Sequence, residues 1–136
     1  VSDSPEVLLP GGWPRPSGYS NAIAAAGRLI FVAGQVGWDP VTARIVSDDF
    51  TVQTEAALDN VLAILAAGGA RAEHVVRLTW FVTDLKAYQT ARSELGRAFR
   101  QRFGGHYPAM SVVQVAGLLE AGAKVEIEAT AVVPPQ

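Results

Sequence analysis

A chain of 136 residues, 49% hydrophobic and 18% charged, has the size and balance of one folded domain with a sizeable core. Its net charge is −2 and its 11 basic residues are scattered, which argues against nucleic acid as a partner. With no cysteine and only His74 and His106, far apart in sequence, it offers no disulfide, no thiolate nucleophile and no local metal-ligand pair, so no metal is expected.

Residues 1–18, VSDSPEVLLPGGWPRPSG, hold four prolines and three glycines, a density that opposes regular structure. An extended N-terminal arm is expected there, with Val7, Leu8, Leu9 and Trp13 packed on the body, and the domain proper over residues 19–136. The stretch YSNAIAAAGRLIFVAGQVGWDP reads as a hairpin, one strand near residues 20–25, a turn at Gly27 and a second strand over 29–33. GWDPVTARI follows as a loop, with Asp39-Pro40 as its turn signal.

The segment 51–67 is the clearest helix. Leu58, Val61, Leu62 and Leu65 recur at spacings of three and four, Asp48 or Asp49 caps the start, and Gly68-Gly69 ends it. HVVRLTWFVTD is a strand with Val76, Leu78, Trp80 and Val82 on one side and Arg77, Thr79, Phe81 and Thr83 on the other. Asp84 caps a second helix running to about Phe103, with Tyr88, Ala91, Leu95, Ala98 and Phe99 inward and Gly104-Gly105 beyond it. MSVVQVAGL and AKVEIEATAVV are closing strands, linked through Gly122.

The order β-β-α-β-α-β-β predicts an α+β domain with two helices side by side on one face of a single four- to five-stranded sheet. The other face carries Glu126, Glu128 and Thr130 in the last strand and Phe81 in the third. A face of this mixed kind is seldom left bare, so a subunit interface is expected there. No apolar run nears the ~18 residues of a membrane span and no segment has the form of a signal peptide, so a cytoplasmic protein without membrane contact is the expectation.

YSNAI, FVAGQVGWDP, QTEAALDNVLAILAAGGA, VVRLTWFVTD, YPAMSVVQV and KVEIEATAVV stand in the order and spacing of one family. From about Tyr19 to Val133 the chain resembles the Rid proteins, also called the YjgF or reactive-intermediate deaminase family. The resemblance implies a chorismate-mutase-like fold and a homotrimer with its sites in clefts between subunits. It also implies hydrolysis of enamines and imines released by amino-acid enzymes to a keto acid and ammonia, with no cofactor. Tyr19 matches the tyrosine lining the family cleft, Gly34 and Gln35 its glycine-glutamine turn, and Glu126 the glutamate that holds or activates water. Taken singly, these residues have ordinary structural readings: a strand-end aromatic, a bulge, a bond to loop backbone, a solvated acid. Their joint occurrence favours a site, least firmly for Gln35.

The family's substrate-gripping arginine, in the pattern Y/F-P-A-R-S, is Met110 here, followed by the expected Ser111. Removing one partner of a buried ion pair costs about 3–5 kcal/mol, so small α-carboxylate enamines should bind poorly. Met110 and Trp38, a polarizable thioether and an indole, would instead wall a cleft for a larger, flatter or less acidic substrate. In a second reading Met110 plugs the site and leaves a non-catalytic, small-molecule-binding or regulatory trimer. In a third, Arg15, Arg28 or Arg92 supplies the cation from another direction. The endoribonuclease activity often attached to the family by name sits poorly with the acidic charge.

Overall fold

A computed structural model describes residues 5–136. The helix α1 (Phe50–Ala67) starts where Asp49 accepts a hydrogen bond from the Val52 N–H at 3.0 Å. It ends at Gly68 and Gly69, the latter at φ 76, where a side chain would be strained. Leu58, Val61 and Leu65 on its inner face are fully buried. Truncating one of them, as in Leu58→Ala, costs about 2–5 kcal/mol.

That face lies on a four-stranded sheet made of β3 (Arg28–Val36), β6 (Val75–Val82), β7 (Ala109–Gln114) and β8 (Val125–Val133). Their order is β3-β8-β6-β7, with β8 antiparallel to both neighbours and β6 parallel to β7. The connection from β6 to β7 runs through α2 (Leu85–Thr90) and α3 (Arg92–Phe103). Alternation in β8 sends Val125, Ile127, Ala129 and Ala131 into the core, leaving Glu126, Glu128 and Thr130 on the side away from the helices. On that side Phe31 is 75% and Leu29 54% exposed. No helix among the described residues is long and apolar enough to cross a membrane.

Four local expectations change. The N-terminal hairpin does not form: β2 (Ala22–Ala24) pairs with β1 (Glu6–Leu8), inside the stretch expected as an arm, while β3 pairs with β8. Gly27, at φ 148, lies so close to Val133 that an added β-carbon would come within 2.7 Å of its carbonyl carbon. The chain therefore passes along the end of β8 instead of reversing on itself. The expected second helix is two, meeting at Ala91, because α2 keeps Tyr88 on Trp80 while α3 lies against α1. In β6 the register shifts between Val75 and Arg77, so Val75, not Val76, is the buried residue. Finally, the loop after β3 contains a short strand pair, β4 (Trp38–Asp39) with β5 (Arg44–Ile45).

Candidate functional site

Ser20 organises the first part of the site. Its N–H donates to the Pro108 carbonyl at 3.0 Å and its hydroxyl to the Tyr107 carbonyl at 2.5 Å, so Tyr19 is held beside the entrance to β7. Pro108 extends the backbone there and His106 Nε2 meets the Val75 carbonyl at 2.6 Å, tying the strand start to β6. Met110 then pairs with Leu78, which puts its side chain on the helix side of the sheet, half-buried against the core. It is one wall of a cavity of about 580 Å³ between β7, α2 and α3, with Tyr19 at the rim.

The cavity is strongly aromatic. Trp80 and Tyr88 meet edge to face at 5.9 Å, and Phe99 and Tyr107 stack at 6.0 Å. Arg92 and Arg100 line it and no carboxylate among the described residues does. Burial raises the Tyr88 hydroxyl above its ordinary pKa, with the Arg92 charge pulling it down. The indole N–H of Trp80 is buried without a hydrogen-bond partner among the described residues.

The second part lies across the sheet. The register of β3 against β8 shifts between Val32 and Gln35, a bulge that contains Gly34. Glu126 packs directly over Gly34: a β-carbon there would sit 2.6 Å from Glu126 Cδ. The Gln35 amide donates to the Ala33 carbonyl at 3.0 Å, which is the backbone-satisfying role expected as its ordinary reading. Asn60 of α1 donates to the Val36 and Trp38 carbonyls at 3.2 and 3.0 Å, fixing the turn that carries the half-buried Trp38. No ion pair or side-chain hydrogen bond among the described residues engages the Glu126 carboxylate.

Within one chain the candidates thus fall into two groups. Tyr19 and Met110 stand at the β7 edge on the helix side; Gly34, Gln35, Trp38 and Glu126 stand around β3 and β8. Glu126 faces away from the helices, and two strand spacings (about 10 Å) separate its strand from that of Met110. Ser111 is exposed on the Glu126 face and does not line the Met110 cavity. In one chain Trp38 and Met110 stand at opposite edges of the sheet, Trp38 just past β3 and Met110 within β7. Of the arginines considered as substitutes, Arg28 donates to the Gly68 carbonyl and Arg15 lines a neighbouring hollow; only Arg92 reaches the Met110 cavity. Arg100 was not anticipated, although its spacing of eight from Arg92 puts both on one helical face.

The sequence profile of the family described as endoribonuclease L-PSP matches residues 14–133. Protein DfrA of Myxococcus xanthus is 42% identical over 115 residues, 84% of either chain. The human 2-iminobutanoate/2-iminopropanoate deaminase is 33% identical over 117 residues, covering 86% of this chain and 81% of its own. Among solved structures, YyfB of Yersinia pestis, a protein of the Rid family, superposes with a TM-score of 0.81 at 29% identity, over 96% of this chain and 99% of that one. TdcF of E. coli, solved with bound serine, superposes with a TM-score of 0.70 at 31% identity, over 96% and 94%.

Proposed function

This chain belongs to the endoribonuclease L-PSP family, the Rid proteins, and we propose that it is a hydrolytic deaminase of reactive imines and enamines whose site is shared between two copies. The observation that carries this reading is the division of the candidate residues between the β7 edge and the β3–β8 side. A site using Met110 and Glu126 together needs the cavity of one copy set against the Glu126 face of another. Such a contact joins two different patches, and repeated head to tail it closes into a ring, here a homotrimer. Exposed Leu29 and Phe31 would gain cover in it.

The chemistry balances without a cofactor. Water adds its oxygen to the electrophilic imine carbon, the carbon–nitrogen bond breaks, and a carbonyl compound and ammonia leave. Glu126 takes a proton from the attacking water and hands it to the nitrogen, then carries the hydroxyl proton of the tetrahedral adduct to the same nitrogen as ammonia departs. Its carboxylate suits this because it rests on Gly34 and is not engaged by a side chain among the described residues. Tyr19 and Met110 shape the substrate side, with Gly34, Gln35 and Trp38 across the boundary and Ser111 on the exposed strand face. Met110 replaces the cation that would hold a small imino acid, which shifts preference toward other substrates.

The test is ammonia release from imines generated in situ from amino acids, with wild type and Glu126→Gln. We expect the variant to lose about 10²–10⁴-fold in turnover while its mass in solution stays that of the wild-type trimer. Equal rates would remove Glu126 from the mechanism. A second reading, a non-catalytic binding trimer, draws on Met110 packing against the core as a plug would. Binding of substrate-like acids with no ammonia release from any imine supplied would favour it.

A further inference from the structure

Arg92, Gly96 and Arg100 follow one another at intervals of four along α3, so they form one stripe of the helix, and all three line the Met110 cavity. Glycine weakens a helix interior relative to alanine. No close neighbour demands it at position 96: the heavy atom nearest an added β-carbon would be Arg100 Nη1, at 3.4 Å. The bare α-carbon of Gly96 thus leaves room for the Arg100 guanidinium to fold back over the stripe, with Arg92 at its other end. Neither guanidinium enters an ion pair among the described residues, unlike Arg71 with Glu73 and Arg102 with Asp59 and Glu55.

Met110 and Trp80 line the same cavity. Trp80 is only 3% exposed, and its indole N–H has no partner among the described residues. That nitrogen is closed off from the cavity, so Trp80 offers a ligand its ring surface rather than a donor. The volume, about 580 Å³, lies within the range of small-molecule sites. Two cations, no acid among the described residues, and aromatic walls together describe a receptor for a flat anion.

We propose that the Arg92–Gly96–Arg100 stripe is the carboxylate anchor of this site and that its ligand is an aromatic 2-imino acid, the ring lying on the Met110–Trp80 wall. The imine part rests on the deaminase reading above; the aromatic carboxylate part stands on the cavity alone. The cation missing from the strand is then supplied by the helix, displaced so that a ring fits between it and Met110.

Phenylpyruvate, the stable oxo counterpart, is the probe, with phenylpyruvamide as its uncharged analogue and pyruvate as the ringless one. Binding is followed by the indole N–H resonances, that of Trp80 being identified by its loss in Trp80→Phe. We expect phenylpyruvate to shift the Trp80 resonance and to bind more tightly than either analogue. Arg92→Gln should weaken it by at least about tenfold, as for a lost charged hydrogen bond, and Arg92→Lys by less. Gly96→Leu, which keeps a good helix former, should block binding by pushing the Arg100 guanidinium off the stripe. Equal affinity for acid and amide, or unchanged binding in both Arg92→Gln and Arg100→Gln, would overturn the proposal. Ammonia release by wild type is scored separately: turnover with no effect of either arginine leaves the deaminase reading standing alone, and arginine-dependent binding without turnover leaves only the anion site.

Discussion

Glu126 lies over the bare α-carbon of Gly34, close enough that a β-carbon at position 34 would stand 2.6 Å from Cδ and 2.8 Å from Cγ of the glutamate. The bulge in β3 and the reach of β8 produce this contact together, and it sets where the carboxylate rests. Gly34→Ala must therefore push Glu126 aside. A displacement of about 1 Å in a reacting group costs about a hundredfold in rate, whereas overpacking of this kind costs about 1–3 kcal/mol in stability. We expect turnover to collapse in a variant that still folds. Gly105→Ala, where an added methyl meets nothing within 4 Å, is the control. Steady-state kinetics beside thermal unfolding of the two variants is the measurement.

A site split between copies makes a prediction about mixtures. Glu126→Gln disables the β8 side of every site, and Gly96→Leu disables the cavity side. In a ring of mixed subunits, the intact cavity of one variant meets the intact glutamate of the other. Refolding the two together in equal amounts should restore activity to about a quarter of the wild-type sites, by random assembly of a head-to-tail ring. Mixtures no more active than either variant alone would mean that each chain carries its own complete site.

The parts of this fold that were legible in the sequence are those set by neighbours along the chain. Leu58, Val61 and Leu65 mark α1 by their period, Asp49 caps it, and the alternation of Val125, Glu126, Ile127 and Glu128 assigns the two faces of β8 correctly. Partners distant in sequence were not legible. Nothing local says that β3 pairs with β8 and not with the preceding strand, nor that a shift at Val76 turns Val75 inward. The same limit divides the site. The motif residues could be named from their order, but the side on which Met110 lies depends on its pairing with Leu78, a contact across 32 residues. Arg100 follows Arg92 by eight residues, a spacing that carries no meaning until α3 is laid beside β7 and the cavity between them exists.

Tyr88 gives the cavity a pH signature. Burial holds its hydroxyl above the ordinary value of 10.0, and the Arg92 charge opposes that rise. A folded-state pKa above the unfolded one contributes stability that is complete below about pH 10 and is lost as pH rises through the folded value. Thermal stability above pH 10 should accordingly fall more steeply in wild type than in Tyr88→Phe. Arg92→Gln removes the opposing charge, so the phenolate absorbance assigned to Tyr88 should appear at still higher pH. A Tyr88 titration that ignores Arg92 would place that guanidinium away from the ring.

Met110→Arg tests what the thioether does. The substitution sets a guanidinium on β7 at the point where the relatives' substrate grip is implied, facing a cavity that already holds Arg92 and Arg100. Without ligand, three cations and no acid repel one another, so the variant should lose some stability. With a small 2-imino acid bound, the new guanidinium gains a two-pronged partner close to the sheet, where the substrate of a small-acid deaminase would sit. An aromatic substrate fares differently: it loses its sulfur–ring contact, worth about 0.3–1.5 kcal/mol, and meets a bulkier, hydrated head in its place. The two effects have opposite signs, so the ratio of kcat/KM for 2-iminopropanoate to that for the phenylalanine-derived imine should rise by at least about tenfold, the equivalent of one charged hydrogen bond. Using the ratio cancels any general loss of folded protein. If it stays unchanged in a variant that keeps its wild-type mass, Met110 is neither wall nor plug, and preference is set elsewhere along the cavity.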